Sequence, residues 1–120
     1  MADHNELGKQ GEQLALQHLL KKGYQLLEKN WRFGRDEIDI IMQEGNELVI
    51  VEVKTRENNY MGEPEEAVTR SKQKRIIQAA HAYVEDQSLD LEVRFDVVGI
   101  IINSKKTEIN HIKDAFQPRW

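Results

Sequence analysis

Two carboxylate side chains are predicted to lie side by side within an otherwise apolar hairpin. The segment EIDIIMQEGNELVIVEVK, residues 37–54, has the pattern of two paired strands joined at Gly45-Asn46. A loop of two or of four residues gives the same register, in which Asp39 faces Glu52 with β-carbons about 4.5–5.5 Å apart. Carboxylates this close repel each other, and a hard divalent cation such as Mg²⁺, which prefers oxygen ligands, relieves that repulsion.

The same register sorts the hairpin into two faces. One face is wholly apolar and is expected to pack on the core, whereas the other carries the acidic pair and Lys54. Ile41 and Ile50 on the charged face indicate partial burial, although a solvent-facing hairpin with ordinary surface charges is the alternative. The facing pairs are Met42–Val49, Ile40–Val51 and Ile38–Val53 on the apolar face, and Ile41–Ile50, Asp39–Glu52 and Glu37–Lys54 on the other.

Polar side chains on two predicted helices are candidates for the same site. Glu12 shares a helix face with apolar residues, so it either skirts the edge of that stripe or has a polar partner in the site. Gly8 and Gly11 are expected to let this helix approach the sheet closely. Gln73 leads an apolar stripe on the second helix, where it either caps the core edge or reaches the site. Lys54 is placed to orient or deprotonate a water beside a metal, or to contact a phosphate.

A group of basic residues is a candidate phosphate-binding surface, with a solvated basic face as the alternative. The formal net charge of −4 argues mildly against a general nucleic-acid binder, so such a role depends on local patches. The four histidines are scattered without metal-ligand spacing. The basic residues are Lys29, Arg32, Arg35, Arg56, Arg70, Lys72, Lys74 and Arg75.

Hydrophobic periodicity predicts the elements that must position these side chains. Their order is α-β-β-β-α-β-β, which indicates an α/β fold with a mixed sheet flanked by helices. The residues after Ile112 are left unassigned, and a loop is expected over Glu57–Pro64. The predicted elements are a helix from Glu6 to Lys22, strands Tyr24–Phe33 and the two hairpin strands, a helix from Thr69 or Ser71 to Asp86, and strands Val93–Ile102 and Thr107–Ile112.

Length and composition set limits on the class of protein. The 120 residues favour one domain, 1–120, with a core from about 6 to 112. The chain has no cysteine, which excludes disulfides, thiolate zinc sites and cysteine nucleophiles. No apolar run approaches the roughly 20 residues of a membrane helix, and the polar N-terminus lacks a signal-peptide pattern. A cytoplasmic location is therefore expected.

Five segments together resemble the uncharacterised bacterial YraN-like family. They are GKQGEQLALQHLLKKGY, NWRFGRDEIDII, VIVEVKTR, EEAVTRSKQ and RFDVV, in this order between residues 8 and 98. That family is placed in the PD-(D/E)xK nuclease superfamily, close to archaeal Holliday-junction resolvases. The resemblance implies a restriction-endonuclease-like core and an expected DNA substrate.

The resemblance also carries roles for individual positions. Asp39 matches the first acidic residue of the superfamily motif, and Glu52 with Lys54 matches its (D/E)xK pair. Glu12 matches the first-helix glutamate of resolvase-like members, and Gln73 matches a polar residue on the following helix. Two further positions, Glu65 and Glu66, match an acidic pair of the family to which no chemistry is assigned. The chain departs from the motif at Ile38, where a proline precedes the aspartate in the superfamily pattern.

The leading hypothesis is a Mg²⁺- or Mn²⁺-dependent endonuclease that hydrolyses DNA phosphodiester bonds, with branched recombination intermediates as candidate substrates. Asp39, Glu52 and the Val53 carbonyl would bind the metal, and Glu12 would hold a water or a second ion.

Lys54 would help to activate the attacking water, and Gln73 would orient water or phosphate. Two alternatives remain open: a catalytically silent module that binds nucleic acid or a protein partner, and a hydrolase of another phosphate ester. A homodimer is expected by analogy with resolvases, and no membrane association is expected.

Overall fold

The computed structural model describes residues 4–58 and 64–118, with side chains described for 5–58 and 66–118. The predicted element order and fold class are confirmed. Most of the loop predicted over Glu57–Pro64 lies outside the described residues. The elements are α1 (His4–Lys21), β1 (Gln25–Phe33), β2 (Asp36–Glu44), β3 (Glu47–Arg56), a short 3-10 helix (Pro64–Ala67), α2 (Arg70–Asp86), β4 (Glu92–Ile102) and β5 (Thr107–Phe116).

One five-stranded mixed sheet organises the chain, with the strands in the order β1-β2-β3-β4-β5. Among the described strands only β3 and β4 run parallel, and α2 lies in the connection between them, as a parallel crossover requires. Gly45, with φ +58°, occupies the two-residue turn between β2 and β3. The hairpin register predicted for Met42–Val49, Ile41–Ile50 and Ile40–Val51 is confirmed.

Each face of the sheet buries its own apolar cluster. On the α2 face, apolar residues of β2, β3 and β4 pack against the apolar side of α2. On the α1 face, the residues that alternate with them along the strands pack against α1. This two-sided burial explains why β4 is an almost continuous apolar run. Members include Ile41, Leu48, Ile50, Ile76 and Phe95 on the α2 face, and Ala15, Leu19, Met42, Val49 and Ile100 on the α1 face.

Helix α1 approaches the sheet closely at Gly11. A β-carbon built on Gly11 would lie 1.7 Å from Thr55 Oγ1 on β3, so only glycine fits this contact. The expectation for Gly11 is therefore confirmed. The expectation for Gly8 is wrong, because a β-carbon there would meet nothing within 4 Å.

Strand β5 continues to Phe116, beyond the Ile112 predicted from alternation. The pairing with β4 shifts between Phe95 and Val97, and Asp114 adopts φ +53°. This irregularity interrupts the alternating pattern, which is why the sequence left the segment unassigned. Asp96 stabilises the irregular segment, since its Oδ1 accepts a hydrogen bond from the Asp114 N–H at 3.0 Å.

A buried polar network joins β4 to the β2–β3 turn and to β5. Arg94 donates to both Asp96 oxygens, at 2.9 and 3.0 Å, and to the Tyr24 hydroxyl at 2.7 Å. It also pairs with the more exposed carboxylates of Glu44 and Glu47. His111 Nε2 lies 2.7 Å from the same Asp96 carboxylate. The one sequence signal for this network is an arginine and an aspartate two residues apart on an apolar strand, which share one face.

Within the residues that the structure describes, neither helix combines the length and apolar character needed to cross a membrane.

Candidate functional site

The two hairpin strands separate where the acidic pair begins. Their ladder extends from Glu44–Glu47 to Ile40–Val51 and includes no further pair. Beyond it the Asp39 side chain replaces a backbone acceptor, since its Oδ2 accepts a hydrogen bond from the Val53 N–H at 2.8 Å. The backbone pairs predicted beyond Ile40–Val51 are therefore absent, and the carboxylate lies between the parted strands.

Strand β2 changes face at the same position. Ile38 packs in the α2-face cluster and Ile40 in the α1-face cluster, although residues two apart in a regular strand share a face. The prediction that Ile38 lies on the face of Ile40 and Met42 is therefore wrong. On β1, Asn30 lies at the level of Asp39, between the pairs Lys29–Ile40 and Trp31–Ile38. Its φ of +50° is a left-handed conformation that asparagine tolerates better than most residues.

Glu52 is the most buried acidic member of the site. The residue is 3% exposed, and its position on the α2 face of β3 follows from strand alternation. Its Oε2 lies 3.3 Å from Lys72 Nζ on α2. Its Oε1 is buried and has no hydrogen-bond partner among the described residues. Such an unsatisfied oxygen is costly unless a proton or a cation reaches it.

Asp39 and Glu52 lie close enough for each to shift the pKa of the other, although the backbone ladder ends before them. Burial raises the pKa of Asp39 to about 6, and the charge of Glu12 adds to the rise while the Val53 N–H and Lys72 oppose it. Burial raises the pKa of Glu52 to about 8, with a further rise from Asp39 and an opposing effect of Lys72. Ionised carboxylates only accept hydrogen bonds, so the two groups bond to each other only when one is protonated.

Glu12 reaches the site through Asn30. The Asn30 Nδ2 donates to Glu12 Oε1 at 2.8 Å and to Glu37 Oε1 at 3.0 Å. Glu12 is half-buried and close enough to Asp39 to raise its pKa. Of the two alternatives for Glu12, the structure supports the polar partner, because the amide of Asn30 links α1 to the sheet at this point.

Two of the predicted site residues lie differently from the acidic pair. Lys54 is exposed, follows Glu52 on the same face of β3, and has no hydrogen bond or ion pair among the residues described. Gln73 uses its Nε2 to donate to the Val68 carbonyl at 3.0 Å, so its amide nitrogen caps the core edge before α2. The side-chain oxygen of Gln73 is therefore the atom that would contact a water or a phosphate in the site.

The predicted basic surface is partly neutralised by acidic neighbours. Arg32 pairs with Glu37 at 3.4 Å, and Arg75 lies 3.9 Å from Asp36. Trp31 is partly buried and packs against the α2-face cluster, with its ring edge-on to Tyr83. Other predicted members are exposed, namely Lys29, Arg35, Arg70 and Lys74, whereas Arg56 is half-buried. Of the acidic pair without assigned chemistry, Glu66 is exposed and the side chain of Glu65 lies outside the described residues.

The donor set suits a hard divalent cation. It consists of carboxylate oxygens, and one of them, Glu52 Oε1, is buried without a partner in the part of the chain described. No three histidine, aspartate or glutamate side chains in residues 5–58 and 66–118 converge into a ready metal-binding group. A cation at Asp39 and Glu52 would therefore need backbone, water or substrate oxygens to complete its shell, which is common for Mg²⁺.

Two features of the site were not identified from the sequence. The pattern around Asn30 predicted a regular strand, although asparagine is enriched in left-handed positions. Lys72 was assigned to the phosphate-binding surface, whereas the structure places its ammonium against Glu52. Helical periodicity does not reveal which of the basic residues in the first turns of α2 contacts a strand that is distant in sequence.

Comparison with known proteins identifies the family of the chain. Residues 11–100 match the model of the uncharacterised protein family UPF0102. A UPF0102 protein of Bacteroides thetaiotaomicron is 49% identical over 118 residues, covering 98% of each chain. A UPF0102 protein of Phocaeicola vulgatus is 46% identical and covers 98% of each chain. A UPF0102 protein of Flavobacterium psychrophilum is 48% identical, over 97% of this chain and 98% of the relative. The chain therefore belongs to the UPF0102, or YraN-like, family, which is part of the PD-(D/E)xK nuclease-like superfamily.

Proposed function

We propose that this protein is a metal-dependent endonuclease that hydrolyses DNA phosphodiester bonds, with branched or recombination intermediates as candidate substrates. The observation that carries the proposal is the pairing of Asp39 and Glu52 at the point where β2 and β3 separate. Glu52 is buried and Asp39 is half-buried, and burial raises the pKa of both carboxyl groups, with a further rise at Glu52 from the charge of Asp39. A charged cluster of this kind costs folding free energy, and such costs are typical of functional sites.

Asp39 and Glu52 would hold Mg²⁺ or Mn²⁺, with the Val53 carbonyl as a third ligand. When bound, the cation would supply Lewis-acid polarisation of a phosphate oxygen and a lower pKa for water. Glu12, held by Asn30, would orient a water or contribute to a second ion.

Lys54 is exposed beside the pair, where its ammonium would offset charge that develops on the phosphate. The Gln73 oxygen would orient water or phosphate. The exposed basic side chains of Arg35, Arg70 and Lys74 would contact the DNA backbone, and they would do so weakly at high salt. Two copies of the chain related by a two-fold axis would allow symmetric cutting of two strands, and access to chromosomal DNA fits a cytoplasmic location.

The test is cleavage of linear, single-stranded and four-way-junction DNA with Mg²⁺ or Mn²⁺. Glu52→Gln and Lys54→Ala are each expected to lower the rate by roughly a hundredfold or more, since each removes charge from the reaction centre. Glu108→Gln, which changes an exposed carboxylate on β5, is the matched control and should cleave normally. Cleavage that survives in both site variants would refute the assignment.

A second candidate function is a catalytically silent nuclease-fold module that binds nucleic acid or a protein partner. The ion pair between Lys72 and Glu52 favours it, because a cation already neutralises part of the acidic pair. The two functions differ in metal binding. An intact site predicts that millimolar Mg²⁺ raises the melting temperature by mass action on the folded state, and a silent module predicts no shift. Metal binding without DNA cleavage would instead direct screening to other phosphate esters.

A further inference from the structure

Lys72 occupies an unusual position for a cation. It lies in the first turn of α2, where its backbone N–H donates to the Thr69 cap at 3.2 Å. That turn also contains Arg70 and no acidic residue. Helix dipoles favour negative charge at this end, so the helix itself does not stabilise a lysine there. The stabilising partner is across the site, at Glu52 Oε2, 3.3 Å from the ammonium.

The ion pair between Lys72 and Glu52 can open by movement of the lysine side chain alone. The Glu52 side chain is 4% exposed, whereas the Lys72 side chain is 39% exposed and reaches the carboxylate from solvent. A lysine has a flexible four-carbon stem, so its ammonium can leave without movement of the helix. Glu52 has no comparable freedom, because it is fixed on a central strand between β2 and β4.

A divalent cation and the ammonium would compete for the same carboxylate. Two positive groups within about 4 Å repel each other strongly in a partly buried site, because charges there are screened less than in bulk water. Entry of the cation would therefore displace the ammonium from Glu52, or the ammonium would keep the cation out.

We propose that Lys72 is a displaceable counter-ion of the acidic site, which neutralises Glu52 without metal and must leave when a divalent cation binds. The inference rests on the proposed function, since it presumes that Asp39 and Glu52 bind metal. It assigns Lys72 a regulatory role on metal affinity that differs from the phosphate contact expected from sequence. Lys54 lies two residues beyond Glu52 on the strand and would not need to move.

The test is calorimetric titration of the full chain with Mg²⁺ alone at pH 8.5, where protons compete less for the carboxyl groups. Lys72→Met, which keeps the stem and removes the charge, is expected to bind Mg²⁺ about tenfold more tightly than the wild type. Lys72→Arg keeps the charge and should bind no more tightly than the wild type. Lys105→Met removes a charge from the exposed β4–β5 turn and serves as the control, with unchanged affinity.

The outcomes separate this inference from the proposed function. If the wild type binds Mg²⁺ and Lys72→Met binds it equally or more weakly, the counter-ion role is overturned and the metal site stands. The same conclusion follows if Lys72→Arg gains as much affinity as Lys72→Met, since the charge then has no effect. If neither the wild type nor Lys72→Met binds Mg²⁺, the proposed metal site itself fails. A purely structural lysine would change the metal-free melting temperature and leave Mg²⁺ affinity unaltered.

Discussion

Asp39 accepts a hydrogen bond from the Val53 N–H at 2.8 Å, so a side chain of β2 replaces the backbone ladder at the point where the hairpin opens. The carboxylate has two effects there. It satisfies a backbone donor that strand separation would otherwise leave without an acceptor, and it brings a negative charge to the buried Glu52. The stability of the strand opening therefore depends on Asp39 as a hydrogen-bond acceptor, whereas the electrostatics of the site depend on its negative charge.

Substitutions at Asp39 should separate these two effects. Asp39→Asn retains an acceptor for Val53 and removes the repulsion with Glu52, so at pH 8 in a chelator it should be at least as stable as the wild type. Asp39→Ala leaves the donor unsatisfied and should lose about 1–3 kcal/mol. Urea unfolding monitored by circular dichroism measures both. An asparagine variant as unstable as the alanine variant would contradict this account.

The stability of the metal-free protein should fall as pH rises. The folded-state pKa values of Asp39 and Glu52 lie above their ordinary values, so between about pH 4 and 8 the folded state binds more protons than the unfolded state. Unfolding free energy should decrease across this window, by on the order of 2–4 kcal/mol.

Thermal and urea unfolding between pH 5 and 8.5 in a chelator measure this decrease. Glu52→Gln is neutral at every pH and should show a much flatter profile, whereas Mg²⁺ should flatten the wild-type profile by stabilising the ionised pair. A profile that is equally steep in Glu52→Gln would show that other groups cause the decrease.

Asn30 should act through both its backbone and its amide. Asn30→Gly keeps the left-handed backbone and loses the bonds to Glu12 and Glu37, whereas Asn30→Ala loses the bonds and also strains the backbone. Alanine is expected to be less stable than glycine by about 1 kcal/mol. Both variants should reduce DNA cleavage if Glu12 must be held near Asp39, and activity equal to the wild type in both would exclude a positioning role.

The contact between Gly11 and Thr55 predicts opposite effects of one substitution at two helix positions. Gly11→Ala forces the β-carbon into Thr55 and should destabilise the protein by about 1–3 kcal/mol. Gly8→Ala meets open space in the same helix and should stabilise it by up to about 1 kcal/mol. Chemical denaturation of the two variants under identical conditions tests the pair. Equal effects would show that helix propensity, rather than packing, dominates at both positions.

The Arg94–Asp96 network should contribute to stability independently of the site. Burial alone would raise the pKa of Asp96, but hydrogen bonds from His111, Arg94 and the Asp114 N–H hold it below the ordinary value. Its contribution should therefore be lost only as pH falls below about 4. Arg94→Met, which leaves a buried carboxylate uncompensated, should cost about 3–5 kcal/mol.

Glu47→Gln removes a more exposed partner of the same arginine and should cost less than about 1 kcal/mol. Unfolding free energies at neutral pH provide the comparison. An Arg94→Met variant as stable as Glu47→Gln would mean that the buried pair is replaceable.

Local pattern in the sequence was sufficient for the elements and for the central pairing of the hairpin. Alternation on both sides of Gly45 determined the register from Met42–Val49 to Ile40–Val51, and extending that register by one residue led to the prediction that Asp39 lies near Glu52. Helical periodicity likewise predicted the two helices, because a repeat of 3.6 residues is a local property. These predictions needed only residues that are close in the chain.

The completion of the site depends on contacts between elements that are distant in the sequence. The opening of the strands at Asp39, the change of face at Ile38 and the left-handed Asn30 break the regular alternation on which strand prediction depends. The pairing of Lys72 with Glu52 joins a helix to a strand that is distant in sequence. Such contacts are set by the packing of whole elements against one another, and no periodic pattern within either element specifies them.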